Sequence, residues 1–187
     1  MAVMLFYLRE NNLSLTDIGL DFKGISFHAV WIGLASALVW TGLMQLVYIP
    51  FIRHFFTVPD YTEYNFMQNH LNTLITTLIA AWIVGGLYEE IIFRGFIRST
   101  LEKYILEKRT HRYSQPIPAV ITSLLFGLYH WQQDVFGVIS AFMGGFYWTY
   151  LLGRYKGNLW YPIFCHAWFD TLALTMIYFD VFGKVHY

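Results

Sequence analysis

Apolar runs near the length that crosses a bilayer recur along this chain, and no other feature limits its fold so tightly. Spanning the hydrocarbon takes roughly 20 residues as a helix. Ala29–Ile52 is the cleanest run. Leu71–Tyr88 follows and must continue through Glu89, Glu90 and Arg94 to about Ile97. Ile117–Gln133, Val135–Gly153 and Leu159–Phe179 complete the set. Hydrocarbon offers no water to satisfy open backbone groups, so such runs must be helical. The pattern predicts an all-α, polytopic membrane helix bundle of about five transmembrane helices. Residues 29–187 form a single transmembrane domain in this reading, and residues 1–28 a polar, interfacial lead-in.

Composition agrees with a lipid solvent. The 187 residues are 57% hydrophobic and 13% charged, where a soluble domain carries about a quarter charged residues. Twelve basic and twelve acidic side chains cancel without a like-charge block, so nucleic acid is not an expected partner. The expected partners are the bilayer and a peptide or membrane-protein substrate. The single cysteine, Cys165, permits no intrachain disulfide and no thiolate-rich metal site. The start, MAVMLFYLRENNLSL, lacks the basic, apolar and small-residue regions of a signal peptide. A cytoplasmic N-terminus places Arg9, Lys23, Arg98, Lys103, Lys108, Arg109, Arg112, Arg154 and Lys156 inside and leaves Arg53 and Lys184 outside with Asp60 and Glu63. That bias satisfies the positive-inside rule and puts the C-terminus outside.

Ionisable residues inside such runs are expensive and face the bundle interior. The second run brings Glu89, Glu90 and Arg94, the third His130, the fifth His166 and Asp170. Glu90 and Arg94 are spaced i,i+4 in the favourable order for a helical ion pair, a structural brace. Glu89 is turned about 100° away and escapes that pairing, which fits it for proton transfer. His166 and Asp170 are also i,i+4, so the carboxylate can fix the imidazole's orientation. Each group alone could be a satisfied packing contact. Three helices carrying groups that hydrocarbon rejects, however, satisfy them best by turning them into one cavity. On a ruler of about 1.5 Å per residue, His130 would sit deeper than Glu89 and His166, a mismatch that tilt or a short third helix must close.

The chain shows no His-Glu-x-x-His zinc motif and no Gly-x-Ser-x-Gly elbow. A carboxylate, two histidines and a second acid are parts for activating water against a carbonyl. Glu89 is the candidate general base, with His130 helping to hold the water. His166, backed by Asp170, would face the developing oxyanion. No cofactor and no metal is expected.

These residues carry a resemblance. Glu89-Glu90-x-x-x-Arg94, Phe126-x-x-x-His130 and His166-x-x-x-Asp170, in this order on separate apolar helices, resemble the CAAX-protease and bacteriocin-processing family. These are intramembrane glutamic endopeptidases, also known as the Abi family. The motifs cover residues 88–170, and Leu13–Leu20 resembles what commonly precedes the domain. The resemblance implies transmembrane helices around a polar cavity open to the cytoplasm. It implies Glu89 and His130 at the water, His166 and Asp170 at the oxyanion, and Glu90 and Arg94 as supports. It also implies a bacterial cell membrane and a role in bacteriocin processing or self-immunity. Where the eukaryotic prenyl-protein branch has asparagine, this chain has Asp170, which when ionised accepts but does not donate hydrogen bonds, so a prenylated substrate is not carried over. Three alternatives stay open: a non-enzymatic immunity or binding protein, a metalloprotease using the same residues, and a proton-coupled transporter.

Overall fold

The computed structural model describes residues 1–58, 62–105 and 116–181, so Asp60, Lys108, Arg109, Arg112 and Lys184 lie outside the described residues. Helix α1 covers Ala2–Glu10, and short 3-10 turns follow at Thr16–Ile18 and Phe22–Gly24. Helix α2 spans Phe27–Ile52 and α3 spans Leu71–Tyr104. Helices α4 (Pro116–Tyr129), α5 (Asp134–Arg154) and α6 (Trp160–Tyr178) complete the bundle. All five expected runs are helical. Among the described residues three stretches, α2, α3 and Trp131–Arg154, are long and apolar enough to cross a membrane. Helix α4 is apolar but only 14 residues long, and α6 has 19 residues that include His166 and Asp170.

Sequence explains the local choices. Ser26 caps α2, its hydroxyl accepting from Ala29 N–H at 3.1 Å, as N-cap residues do. Leu38, Val39, Leu46, Val47, Ile75, Ile79 and Ile83 stand on the outside of the bundle, where lipid rather than water is the solvent. Helix α6 is the hub and packs against α2, α3 and α5. Close approach is built in at Gly86, where a Cβ would lie 2.7 Å from Ala167 Cβ, and at Gly33, where it would lie 2.5 Å from Phe164 Cβ. Small residues at helix interfaces allow this proximity in membranes.

One end of the bundle is closed by the N-terminal segment. Met4, Leu8, Ile18 and Leu20 are buried with Ile91, Leu152, Leu159 and Trp160. Leu159 N–H donates to Gly19 O at 3.0 Å, and the Trp160 indole donates to Asp21 O at 2.8 Å. Residues 1–28 therefore bury one face against the helices and expose Val3, Phe6, Phe22 and Phe27 on the other.

The opposite end is hollow. A cavity of about 880 Å³ runs from Glu89 and His166 in mid-bundle to Thr57, Tyr64, Gln132, Gln133 and Asp134 in the connecting segments. Its lining takes in no residue of α1 or of Tyr155–Leu159. The sequence reading placed both the N-terminus and the opening on the cytoplasmic side. The lining of this cavity reaches the connecting segments at the end of the helices away from α1.

Candidate active site

Antiparallel packing brings the polar groups to one level. Helix α4 lies against the later part of α3: the Phe93 and Phe126 ring centroids are 5.0 Å apart, and Arg94 Cζ is 4.1 Å from the Phe126 ring. One turn further along α4, and one turn back along α3, His130 and Glu89 line the same cavity. Because α3 runs on to Tyr104 while α4 starts at Pro116 beside its Arg98–Ile105 end, the short third helix resolves the depth mismatch. Helix α6 contributes His166 and Asp170 to the same lining. Gly85 makes room for them, since a Cβ there would collide with Asp170 Oδ2 and come within 3.7 Å of His166 Nε2.

Around these groups α3 is wound as a π-helix, over Trp82–Glu89 and again over Ile91–Ile97. This winding is rare and is frequent at functional sites. Glu90 and Arg94 pair at 3.2 Å with both side chains fully buried. Such a pair must offset a desolvation cost of several kcal/mol. Here the arginine also lies over two aromatic faces, 4.1 Å from Phe126 and 5.0 Å from Trp148, which adds cation–π attraction.

Glu90 does more than brace. His166 Nδ1–H donates to Glu90 Oε1 at 2.9 Å, so the carboxylate that orients the imidazole comes from α3. The sequence reading gave that task to Asp170, whose Oδ1 instead stands 3.7 Å from Nε2, on the cavity side of the ring. The i,i+4 rule places Asp170 on the right face but does not say which ring nitrogen it meets. His130 Nδ1–H donates to Phe126 O at 2.9 Å, which leaves Nε2 as the acceptor of the neutral ring. Glu89 Oε2 is 4.0 Å from His166 Nε2, beyond hydrogen-bond length. Glu89 is 7% exposed whereas Glu90 is 0% exposed, so Glu89 is the carboxylate that reaches the cavity.

Three features went unread in the sequence. Trp148 of α5 stacks on His166 with centroids 3.9 Å apart and planes at 17°. Arg98 and Glu102 are buried and pair at 2.8 Å; the Glu90, Arg94, Arg98, Glu102 ladder at four-residue intervals is the signal that could have found them. Gln132, Gln133 and Asp134 line the mouth. Among the described residues, no three His, Cys, Asp or Glu side chains converge as a set able to hold a metal ion.

Fold and site define a membrane-embedded helix bundle with a carboxylate–imidazole cavity. The model of the type II CAAX prenyl endopeptidase Rce1-like family matches residues 71–172, and the chain belongs to that family. A Bacillus subtilis (strain 168) protein named "Putative membrane peptidase YdiL" is 32% identical over 99 residues, 53% of this chain and 36% of its own length. An uncharacterized protein of Mycoplasma capricolum is 25% identical over 130 residues, 69% of this chain and 33% of its own. The chain thus spans about a third of the length of these curated relatives. No solved structure matches it.

Proposed function

We propose that this chain is an intramembrane endopeptidase that hydrolyses a peptide bond with Glu89-activated water. The observation that carries the reading is the meeting of Glu89, His130, His166 and Asp170, from three helices, in one cavity. Membership of an endopeptidase family supports it. Glu89 takes a proton from water held at His130 Nε2, and the hydroxide oxygen attacks the scissile carbonyl. His166 acts as the imidazolium: Nδ1–H stays on Glu90, and Nε2–H faces the oxyanion. Asp170, beside Nε2, steadies that cation. The tetrahedral intermediate collapses with cleavage of the C–N bond, and Glu89 returns its proton to the leaving amine.

The substrate in this reading is a membrane-associated protein or peptide, and bacteriocin processing or self-immunity is its proposed setting. The basic residues Arg9, Lys23, Arg98, Lys103, Arg154 and Lys156 belong to the closed half of the bundle, so we hold that end cytoplasmic and the cavity mouth outward. The test is cleavage of a membrane-associated reporter peptide by purified protein. Glu89→Gln and His130→Ala should each lower turnover by about 10²–10⁴-fold, and chelator should leave the wild type unaffected. Wild-type turnover in both variants would refute the assignment.

A further inference from the structure

Helix α5 carries none of the residues given a chemical role above, yet one of its side chains touches the centre of the site. Trp148 is 3% exposed and lies nearly parallel to the His166 imidazole, with centroids 3.9 Å apart and planes at 17°. The same indole lies 5.0 Å from the Arg94 guanidinium and 5.6 Å from Phe126, edge to face. It therefore contacts both the imidazole and the arginine that holds Glu90. The chain keeps space for it one turn back, at Gly144, where a Cβ would come within 3.2 Å of Trp148 Cη2.

We infer that Trp148 is a positioning residue for the proposed peptidase: its ring fixes the plane of His166 so that Nε2 faces the cavity while Nδ1–H stays on Glu90. The inference rests on the proposed function for its kinetic consequence and on geometry alone for its structural one. A single hydrogen bond from Nδ1 to Glu90 restrains one edge of the imidazole and leaves the ring free to tilt about that bond. A flat partner over one face removes the tilt. Phe126 meets the ring only edge-on at 6.0 Å, too far to replace the stack. The indole face also favours a cationic ring or guanidinium, and it has one of each as neighbours. Glu89, Glu90 and Asp170 supply the negative charge around His166, so Trp148 is needed for direction rather than for charge.

The experiment uses the full chain in detergent with 15N-labelled histidine. The Nδ1–H signal of His166, identified by its loss in His166→Gln, reports the Glu90 hydrogen bond whether or not a substrate is known. Trp148→Phe keeps a flat ring and should preserve that signal and hold kcat within about threefold. Trp148→Leu should broaden or shift the signal and lower kcat on the reporter peptide by roughly 10–100-fold with KM little changed, as misplacement of a reacting group by about 1 Å does. An unaltered Nδ1–H signal in Trp148→Leu overturns the inference even if no peptide is ever cleaved. A wild type that cuts nothing, with the signal still lost in Trp148→Leu, overturns the peptidase reading and leaves the positioning in place. If Trp148→Leu does not fold, Gly144→Ala, which pushes the indole, is the second variant and should show the same loss of signal; an unaltered signal there also overturns the inference.

Discussion

At the closed end of the bundle Met4, Leu8, Ile18, Leu20 and Leu159 meet one another without a charge among them, whereas the hollow end reaches inward to Glu89, His166 and Asp170. The closed end gains stability from apolar burial, about 25 cal/mol per Å² against water, with a few backbone-directed hydrogen bonds such as Leu159 N–H to Gly19 O at its seam. Behind the cavity wall, ionisable groups lie in a low-dielectric setting, so each must find a partner of opposite character at a set distance: Arg94 at 3.2 Å from Glu90, His166 at 2.9 Å from the same carboxylate. Apolar closure tolerates adjustment, and a polar cavity does not. That division lets one end set the fold while the other is shaped for chemistry.

The sharpest challenge to this comparison is all-or-none. In intact cells, Thr57→Cys at the mouth should react with a membrane-impermeant maleimide, and Lys23→Cys at the closed end should react only once the cytoplasmic face is exposed in inverted vesicles. Cys165 is fully buried and should stay silent in both. Labelling of Thr57→Cys from the cytoplasmic face alone would reverse the proposed orientation while leaving the site geometry as it is.

Next in size is the brace. Arg94→Ala leaves Glu90 with His166 as its one charged partner, and Glu90→Ala strands Arg94; either should cost about 3–5 kcal/mol and lower Tm in detergent. Glu89→Gln should melt with the wild type while losing turnover. If Glu89→Gln melts as early as Arg94→Ala, the two glutamates have been given each other's roles.

The smallest effect expected belongs to the closed end. Leu159→Ala removes a fully buried side chain and should cost about 3 kcal/mol, read as a lower Tm. Turnover per folded molecule should not change, because Leu159 takes no part in the cavity lining. A fall in kcat at temperatures where the variant is folded would show that the two ends are coupled.

The helices and the motif residues were legible because both depend on spacing along one chain. Runs of apolar residues require helices in lipid, and four-residue intervals put Glu90 with Arg94 and His166 with Asp170. What spacing does not carry is which helix a given face meets. The hydrogen bond from His166 to Glu90 crosses 76 residues, so the orienting carboxylate could not be read from the His166–Asp170 interval. The stack of Trp148 on His166 exists only because α5 packs against α6. The burial of Arg98 and Glu102 also depends on neighbours in space. The end at which the cavity opens depends likewise on where 130–134 and 53–58 come to rest.

The closed end has a consequence for how the protein is made. Gly19, Asp21 and Gly24 near the start of the chain are tied to Leu159, Trp160 and Asn158, and the Trp160 bond to Asp21 joins residues 139 apart. At the usual pace of translation, about 5–20 residues per second, the N-terminal segment waits on the order of ten seconds for its partners to be synthesised. Through that interval Met4, Leu8, Ile18 and Leu20 lack Leu152, Leu159 and Trp160 of their final cluster, and the lipid headgroup region is a ready place for the surface left uncovered. Residues 1–24 are thus made well before the partners that complete their contacts, and α6 completes the packing at both ends, since it also delivers His166 and Asp170.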